Sequence, residues 1–219
     1  VTGASYFVDP QKQAARLEEM GITKGDNEPQ IDFFVMSYCP YGNIAEEAIY
    51  ETYQELKDEA EFKPRYIYYE NYQGGGPDYC LDEDNLLCAM HGIGEARQNV
   101  REQCVAQEYG LDAWFEFSIC MNRECTSSNA DTCYVTVAED LGYDTGFLES
   151  CVEENAIAFA SEDARLMQLF GASGSPSVYI DGESYNGPRS GSGYGAALCA
   201  AFDGDAPSYC DDIEPIAEA

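Results

Sequence analysis

The run Ile31-Asp-Phe-Phe-Val-Met-Ser-Tyr-Cys-Pro-Tyr-Gly42 decides the interpretation of this chain. Residues 31–36 are almost continuously apolar, which predicts a central β-strand covered on both faces. Cys39 and Pro40 end this strand, and a helix is predicted over residues 41–60. A helix N-terminus stabilises a thiolate through its macrodipole and its free backbone N–H groups. Cys39 is therefore the candidate catalytic nucleophile, with Pro40 and Tyr41 as candidate substrate-binding neighbours.

Gly42 stands where a Cys-x-x-Cys motif would have its second cysteine. In a dithiol site that second cysteine attacks the mixed disulfide formed on the first. Glycine has no side chain, so a site built on Cys39 needs a resolving thiol from elsewhere.

The remaining pattern predicts the order β-α-β, a helical insertion, then β-β-α. A second strand is predicted over Pro64–Tyr69, and helical periodicity dominates from Tyr79 to about Phe170. A strand over residues 177–180 then enters an Asp181-Gly182 turn, and a last helix is predicted over Ser192–Phe202. We expect an α/β fold that a helical insertion divides into two halves. Its segments are an N-terminal helical extension (1–30), the N-terminal half of the fold (31–77), the insertion (78–170), the C-terminal half of the fold (171–210) and an acidic tail (211–219).

Ser175-Pro176 directly precedes the predicted third strand. Proline is disfavoured inside a sheet, and X-Pro bonds are the common cis peptides, typically in tight turns. We therefore expect a cis-proline loop beside Cys39, with Ser175 and Pro176 contacting an extended substrate.

The chain carries a formal charge of −30, from 41 acidic against 11 basic residues among 219. This surface would repel phosphates, so no nucleic-acid partner is expected. It suits a halophilic or saline setting, where salt screens the self-repulsion. The acid cluster at residues 82–84 lacks the spacing of an EF-hand loop and is interpreted as a solvated face. No run is long enough for a transmembrane helix.

Ten cysteines predict disulfides, and hence a secreted, cell-surface or periplasm-like location with an oxidising environment. The rival is structural zinc, but His91 is the only histidine and no paired Cys-x-x-Cys motifs occur. No metal site and no cofactor are expected. His91 could assist proton transfer near the thiol, although a lone helical histidine is more often structural.

These features together resemble the thioredoxin superfamily and its Dsb-type branch. Residues 34–42 are similar to the active-site stretch of Dsb-like proteins with one active-site cysteine. His91-Gly92 followed by Glu95, the cysteine-rich insertion and the C-terminal cysteine pair give a more distant similarity to the gamma-interferon-inducible lysosomal thiol reductases. The resemblance covers about residues 31–210 and implies a thioredoxin-like fold with protein thiols and disulfides, or a membrane redox partner, as reactants. Three further cysteines depart from the single-cysteine pattern: Cys80, Cys88 and Cys125.

Cysteine spacing favours four disulfides, although it does not exclude other pairings. Cys199–Cys210 would hold the C-terminus, Cys80–Cys88 would close a short loop, and two bonds would cross-link the insertion: Cys120–Cys133 and Cys104–Cys151. Cys39 and Cys125 remain. Cys125 is then the candidate resolving or interchain thiol, unless it pairs within the insertion in another scheme.

Two functional hypotheses follow from different classes. The first is an extracytoplasmic thiol–disulfide oxidoreductase or isomerase that forms mixed disulfides through Cys39. The second is a non-catalytic surface or assembly subunit on the same fold, because a fold alone does not fix a function. Self-association through a leftover cysteine would favour the second hypothesis.

Overall fold

A mixed four-stranded sheet forms the centre of the chain, which a computed structural model describes over residues 10–22 and 28–213. The strands are β1 (Gln30–Val35), β2 (Glu61–Tyr66), β3 (Ser177–Ile180) and β4 (Glu183–Ser184), in the order β2-β1-β3-β4. β1 pairs in parallel with β2 and antiparallel with β3, and all its residues are buried. The centre of the sheet therefore leads directly into the Cys39 turn.

β2 begins three residues earlier than Pro64, the start that the sequence predicted, and it contains this proline. Pro64 pairs with Phe33 of β1, and β2 is an edge strand of the sheet. A proline is tolerated at an edge because its missing N–H need not serve a second neighbour.

Seven α-helices surround the sheet among the described residues. They are α1 (Pro10–Glu19), α2 (Pro40–Leu56), α3 (Ile93–Tyr109), α4 (Leu111–Glu124), α5 (Ala130–Leu141), α6 (Thr145–Phe170) and α7 (Gly191–Ala201). Four of them, α3 to α6, lie between β2 and β3 in the chain, where the helical insertion was expected. No helix of residues 10–22 and 28–213 is long and apolar enough to cross a membrane.

Trp114 of α4 joins the helices between β2 and β3 to the sheet. Its ring centroid lies 5.6 Å from that of Phe33, and Phe115 stacks on Phe33 at 6.2 Å. The Trp114 indole Nε1–H donates to the Tyr66 hydroxyl at 2.8 Å. The sheet and these helices thus share one hydrophobic cluster.

The predicted N-terminal extension is described only in part, because residues 1–9 and 23–27 lie outside the described residues, as do residues 214–219 of the acidic tail. Where it is described, α1 is followed by Met20 and Ile22, which are buried against Phe34 and Phe170. Arg16 also donates to the carbonyl oxygen of Leu169 at 3.1 Å. The extension therefore packs on the face of the sheet that α6 covers.

Four disulfides cross-link the chain: Cys80–Cys88, Cys104–Cys151, Cys125–Cys133 and Cys199–Cys210. Three of these are the pairs that the spacing favoured. The Cys120–Cys133 pairing was wrong, because Cys125 ends α4 and faces Cys133 across the short connection to α5, with the Cα atoms 5.9 Å apart. Cys125 is therefore not a free resolving or interchain thiol, and the two cysteines outside disulfides are Cys39 and Cys120.

Candidate active site

Cys39 is the N-cap residue of α2, and Pro40 is the first residue of that helix. The half-buried thiol makes no capping hydrogen bond, and its Sγ lies 3.6 Å from the carbonyl oxygen of Ser175. Proline suits this first helical position because its absent N–H has no intrahelical partner there anyway. The thiol consequently sits at the positive end of a 17-residue helix, where negative charge is stabilised.

Each backbone N–H in the turn before α2 has its own acceptor. Met36 N donates to Ser175 Oγ at 3.1 Å, and Cys39 N donates to the carbonyl oxygen of Met36 at 2.9 Å. Between them, Ser37 N donates to Asn99 Oδ1 at 3.2 Å. Tyr38 N donates to Glu95 Oε2 at 3.1 Å. Side chains from two other parts of the chain thus fix the backbone that presents Cys39.

Glu95 and Asn99 are one turn apart on α3, and both are fully buried. Residues at this spacing share one helix face, so both side chains reach the same turn. Asn99 Oδ1 also accepts from the Ser37 hydroxyl at 2.6 Å. The sequence interpretation missed the part that Asn99 plays, although the four-residue spacing from Glu95 was a visible signal.

His91 packs against Glu95 rather than standing alone. Its Nδ1 lies 2.6 Å from Glu95 Oε2, and its backbone N–H donates to Glu95 Oε1 at 3.1 Å. The hydrogen bond to Glu95 raises the pKa of His91, while partial burial opposes the shift. The histidine therefore contacts the same carboxylate that accepts the N–H of Tyr38.

Ser175 meets Cys39 and Gly42 from the loop before β3. The Ser175–Pro176 peptide bond is cis, and Pro176 is buried. Gly42 is also buried, and a Cβ atom built on it would lie only 2.5 Å from Ser175 Oγ and 3.6 Å from Cys39 Cβ. The two separate sequence features, Cys39-Pro40 and Ser175-Pro176, are brought together here.

The first turn of α2 carries large side chains in solvent beside the thiol. Tyr41 is 69% exposed and Ile44 is 60% exposed. Tyr69, which packs against the same cluster as Cys39, donates from its hydroxyl to the carbonyl oxygen of Ser173 at 3.1 Å. Single exposed apolar residues are common, but two on one turn next to a half-buried thiol form a surface that an unfolded segment can contact.

Two buried acids lie deeper along α2 and α3. Glu46 accepts from Asn122 Nδ2 at 2.6 Å, and Glu102 accepts from the Tyr66 hydroxyl at 2.6 Å. Burial and the charge of Glu102 raise the pKa of Glu46, and burial raises the pKa of Glu102 to about 7. Burial thus disfavours the charged form of both carboxyl groups.

Within residues 10–22 and 28–213, no group of three or more His, Cys, Asp or Glu side chains is arranged to hold a metal ion. The free cysteine Cys120 lies on α4, packed in the cluster that contains Phe117 and Cys104. Burial, with the charge of Glu116, raises the pKa of the Cys120 thiol.

The model of the family described as gamma interferon inducible lysosomal thiol reductase matches residues 30–139. This chain belongs to that family. The match runs from β1 through Cys39 and α3 into α5, so it contains both the candidate nucleophile and the helix that holds its turn. Membership supports a thiol–disulfide oxidoreductase-like function. No curated protein matches the chain.

Solved structures similar to this chain are disulfide oxidoreductases of the Dsb type. The reduced disulfide bond oxidoreductase DsbG of Mycobacterium tuberculosis has a TM-score of 0.55 at 16% identity, over 97% of this chain and 92% of that chain. BdbD of Bacillus subtilis has a TM-score of 0.57 at 14% identity, over 84% of this chain and 92% of that chain. MdbA of Corynebacterium diphtheriae, a thiol-disulfide oxidoreductase, has a TM-score of 0.58 at 16% identity, over 82% of this chain and 86% of that chain. The predicted thioredoxin-like α/β fold with a disulfide-rich helical insertion is confirmed.

Proposed function

We propose that this chain is an extracytoplasmic thiol–disulfide oxidoreductase or isomerase, and that it forms mixed disulfides with protein substrates through the single thiolate of Cys39. The observation that carries the proposal is the position of Cys39. It is a free, half-buried thiol at the N-cap of α2, beside the Ser175 carbonyl group.

In the proposed reaction the Cys39 thiolate attacks one sulfur of a substrate disulfide. A bond forms between Cys39 Sγ and that sulfur, and the other substrate sulfur leaves as a thiolate. The helix N-terminus stabilises the attacking thiolate, and the hydrogen bonds from Ser37 and Tyr38 to α3 fix its direction. Fixing the direction matters because exchange needs the attacking sulfur in line with the bond that breaks.

Substrate contacts are assigned to the surface around the thiol. Pro40 and Tyr41 supply one side, and the loop of Ser175 and Pro176 supplies the other. The exposed Tyr41 and Ile44 favour apolar, unfolded polypeptide, in which disulfides are still accessible. Folded proteins keep few such apolar segments in solvent.

The four disulfides favour an extracytoplasmic location, because such bonds persist where the surroundings are oxidising. A secreted, cell-surface or periplasm-like place for the chain remains part of the proposal. The strongly acidic surface similarly supports a saline setting.

Insulin reduction and refolding of scrambled ribonuclease test the proposal. Cys39→Ser should abolish turnover in both assays, while Cys120→Ser, the matched control for loss of a free thiol, should leave it unchanged. Equal turnover by the wild type and Cys39→Ser would refute a catalytic Cys39, and no turnover by the wild type would favour the assembly hypothesis. Self-association stays a prediction, and Cys125 is no longer a candidate for an interchain disulfide because it is bonded to Cys133.

A further inference from the structure

The Ser175 hydroxyl fills the space that a second active-site cysteine would need. A Cβ atom at position 42 would meet Ser175 Oγ at 2.5 Å, well inside the 3.4 Å at which ordinary contact begins. The carbonyl oxygen of Met36 closes the other side at 3.4 Å. Gly42 is therefore required by the packing of this turn, and it is not simply a vacant position where a cysteine was lost.

Ser175 is not free to rotate away from Gly42. Its Oγ accepts the N–H of Met36 at 3.1 Å, the first hydrogen bond of the turn that leads to Cys39. Met36 is buried, so moving the hydroxyl would leave this N–H without an acceptor in the protein interior. The contact that orients the turn is thus the same contact that excludes a side chain at position 42.

Apart from Cys39, the one cysteine outside a disulfide is Cys120, and all ten cysteines lie among the described residues. Eight cysteines are bonded to one another. The ninth, Cys120, packs against the cluster of α3 to α6 that includes Phe117, whereas Cys39 packs against the cluster that includes Phe34. A thiol whose ionisation burial disfavours is also a poor nucleophile.

We propose that the mixed disulfide on Cys39 is released only by a thiol from outside the chain, and that Ser175 enforces this by keeping position 42 without a side chain. The proposal rests on the proposed function. In the release step, the external thiolate bonds to the substrate sulfur, the Cys39–substrate bond breaks, and Cys39 leaves as the thiolate. The external thiol is then oxidised by joining the substrate in a new disulfide, and Cys39 is regenerated.

The test follows a glutathione adduct on the full chain by mass spectrometry. Oxidised glutathione should form a mixed disulfide with Cys39, and this adduct should persist after the unreacted glutathione is removed. Reduced glutathione and a cysteine-containing unfolded peptide are then added separately, which distinguishes a small-molecule thiol from a protein thiol. Loss of the adduct without added thiol, with an internal disulfide formed, would overturn the proposal.

Two variants test the part that Ser175 plays. Gly42→Cys alone should keep the adduct nearly as long as the wild type. Gly42→Cys combined with Ser175→Ala should lose it at least about tenfold faster, through a disulfide between Cys39 and the introduced cysteine, because an intramolecular thiol has a high effective concentration. Equal release by the single and double variants would refute the exclusion by Ser175.

A stability measurement decides the same point if the cysteine variants fold poorly or if no adduct forms. Gly42→Ala should lower the urea midpoint, and Ser175→Ala should lower it less in the Gly42→Ala background than in the wild type, because in that background it also removes the clash. If Ser175→Ala lowers the midpoint of Gly42→Ala as much as it lowers that of the wild type, the exclusion is wrong. Failure to form any adduct, by contrast, would refute the proposed function of Cys39.

Discussion

Replacing Asn99 with alanine should destabilise the turn that carries Cys39, although Asn99 lies 60 residues farther along the chain. The substitution removes the acceptor of two buried donors, Ser37 N at 3.2 Å and Ser37 Oγ at 2.6 Å. The hydroxyl can rotate toward another acceptor, but the backbone N–H cannot. An unsatisfied buried donor costs about 1–3 kcal/mol, and the lost side-chain packing adds to this cost. We expect a loss of about 2–4 kcal/mol in the free energy of unfolding.

Urea denaturation followed by tryptophan fluorescence measures this loss, because Trp114 lies in the shared core. Gln107→Ala is the matched control: it truncates an exposed amide on the same helix and should change stability by less than about 0.5 kcal/mol. A double-mutant cycle with Ser37→Ala isolates the side-chain contact, and its coupling should be about 1 kcal/mol. Insulin reduction by Asn99→Ala should also slow under conditions where the variant is folded.

A cost below about 0.5 kcal/mol for Asn99→Ala would refute the inference that α3 holds this turn. Full turnover by a folded Asn99→Ala protein would show that the contact stabilises the chain without positioning Cys39. The two readouts therefore separate a structural role of Asn99 from a positioning role.

Three further outcomes are expected. Burial raises the pKa of Asp163 to about 8 from 3.8, so the folded chain keeps a proton that the unfolded chain loses. The free energy of unfolding should therefore fall as pH rises between these two values. Urea unfolding at several pH values should show a smaller fall for Asp163→Asn than for the wild type, and equal pH dependence of the two proteins would contradict this. With a charge of −30, the chain should melt at higher temperature as NaCl rises from about 0.1 to about 1 M, and a flat or falling melting temperature would contradict net self-repulsion. Removing the Cys199–Cys210 disulfide by a double serine substitution should lower the free energy of unfolding by about 2–3 kcal/mol, measured by urea denaturation. The control variant Cys120→Ser should leave this free energy unchanged. A loss of under about 0.5 kcal/mol in the double variant would show that the bond does not stabilise the C-terminus.

The strand and helix around Cys39 could be predicted because their signals are local. A mostly apolar run predicts a buried strand, and Cys39-Pro40 predicts the helix start, which the structure places at Pro40. Even here one residue departs from the pattern, since Asp32 is fully buried inside β1. Gln30 Nε2, two residues away, donates to it at 2.6 Å. Arg65 Nε of β2 donates to it at 3.3 Å, and this second partner comes close only when the sheet forms.

The contacts that complete the candidate site could not be predicted from local signals. Glu95 and Asn99 reach the turn from 57 and 62 residues away, and Ser175 from 139. Each contact depends on how α3 and the loop before β3 pack on the sheet. The pairing of Cys133 failed for the same reason, because a choice between Cys120 and Cys125 depends on where α4 ends.

The shared core around Trp114 has a consequence for how the molecule melts. Phe33 and Tyr66 of the sheet pack with Trp114 and Phe115 of α4 in one cluster, and α3 supplies acceptors to the turn before α2. Deleting residues 78–170 would therefore expose a face of the sheet to solvent and remove the acceptors that hold that turn. The remaining strands and helices would not form a smaller stable fold. The helices and the sheet should accordingly unfold in one cooperative transition, with far-ultraviolet circular dichroism and Trp114 fluorescence changing at the same urea concentration.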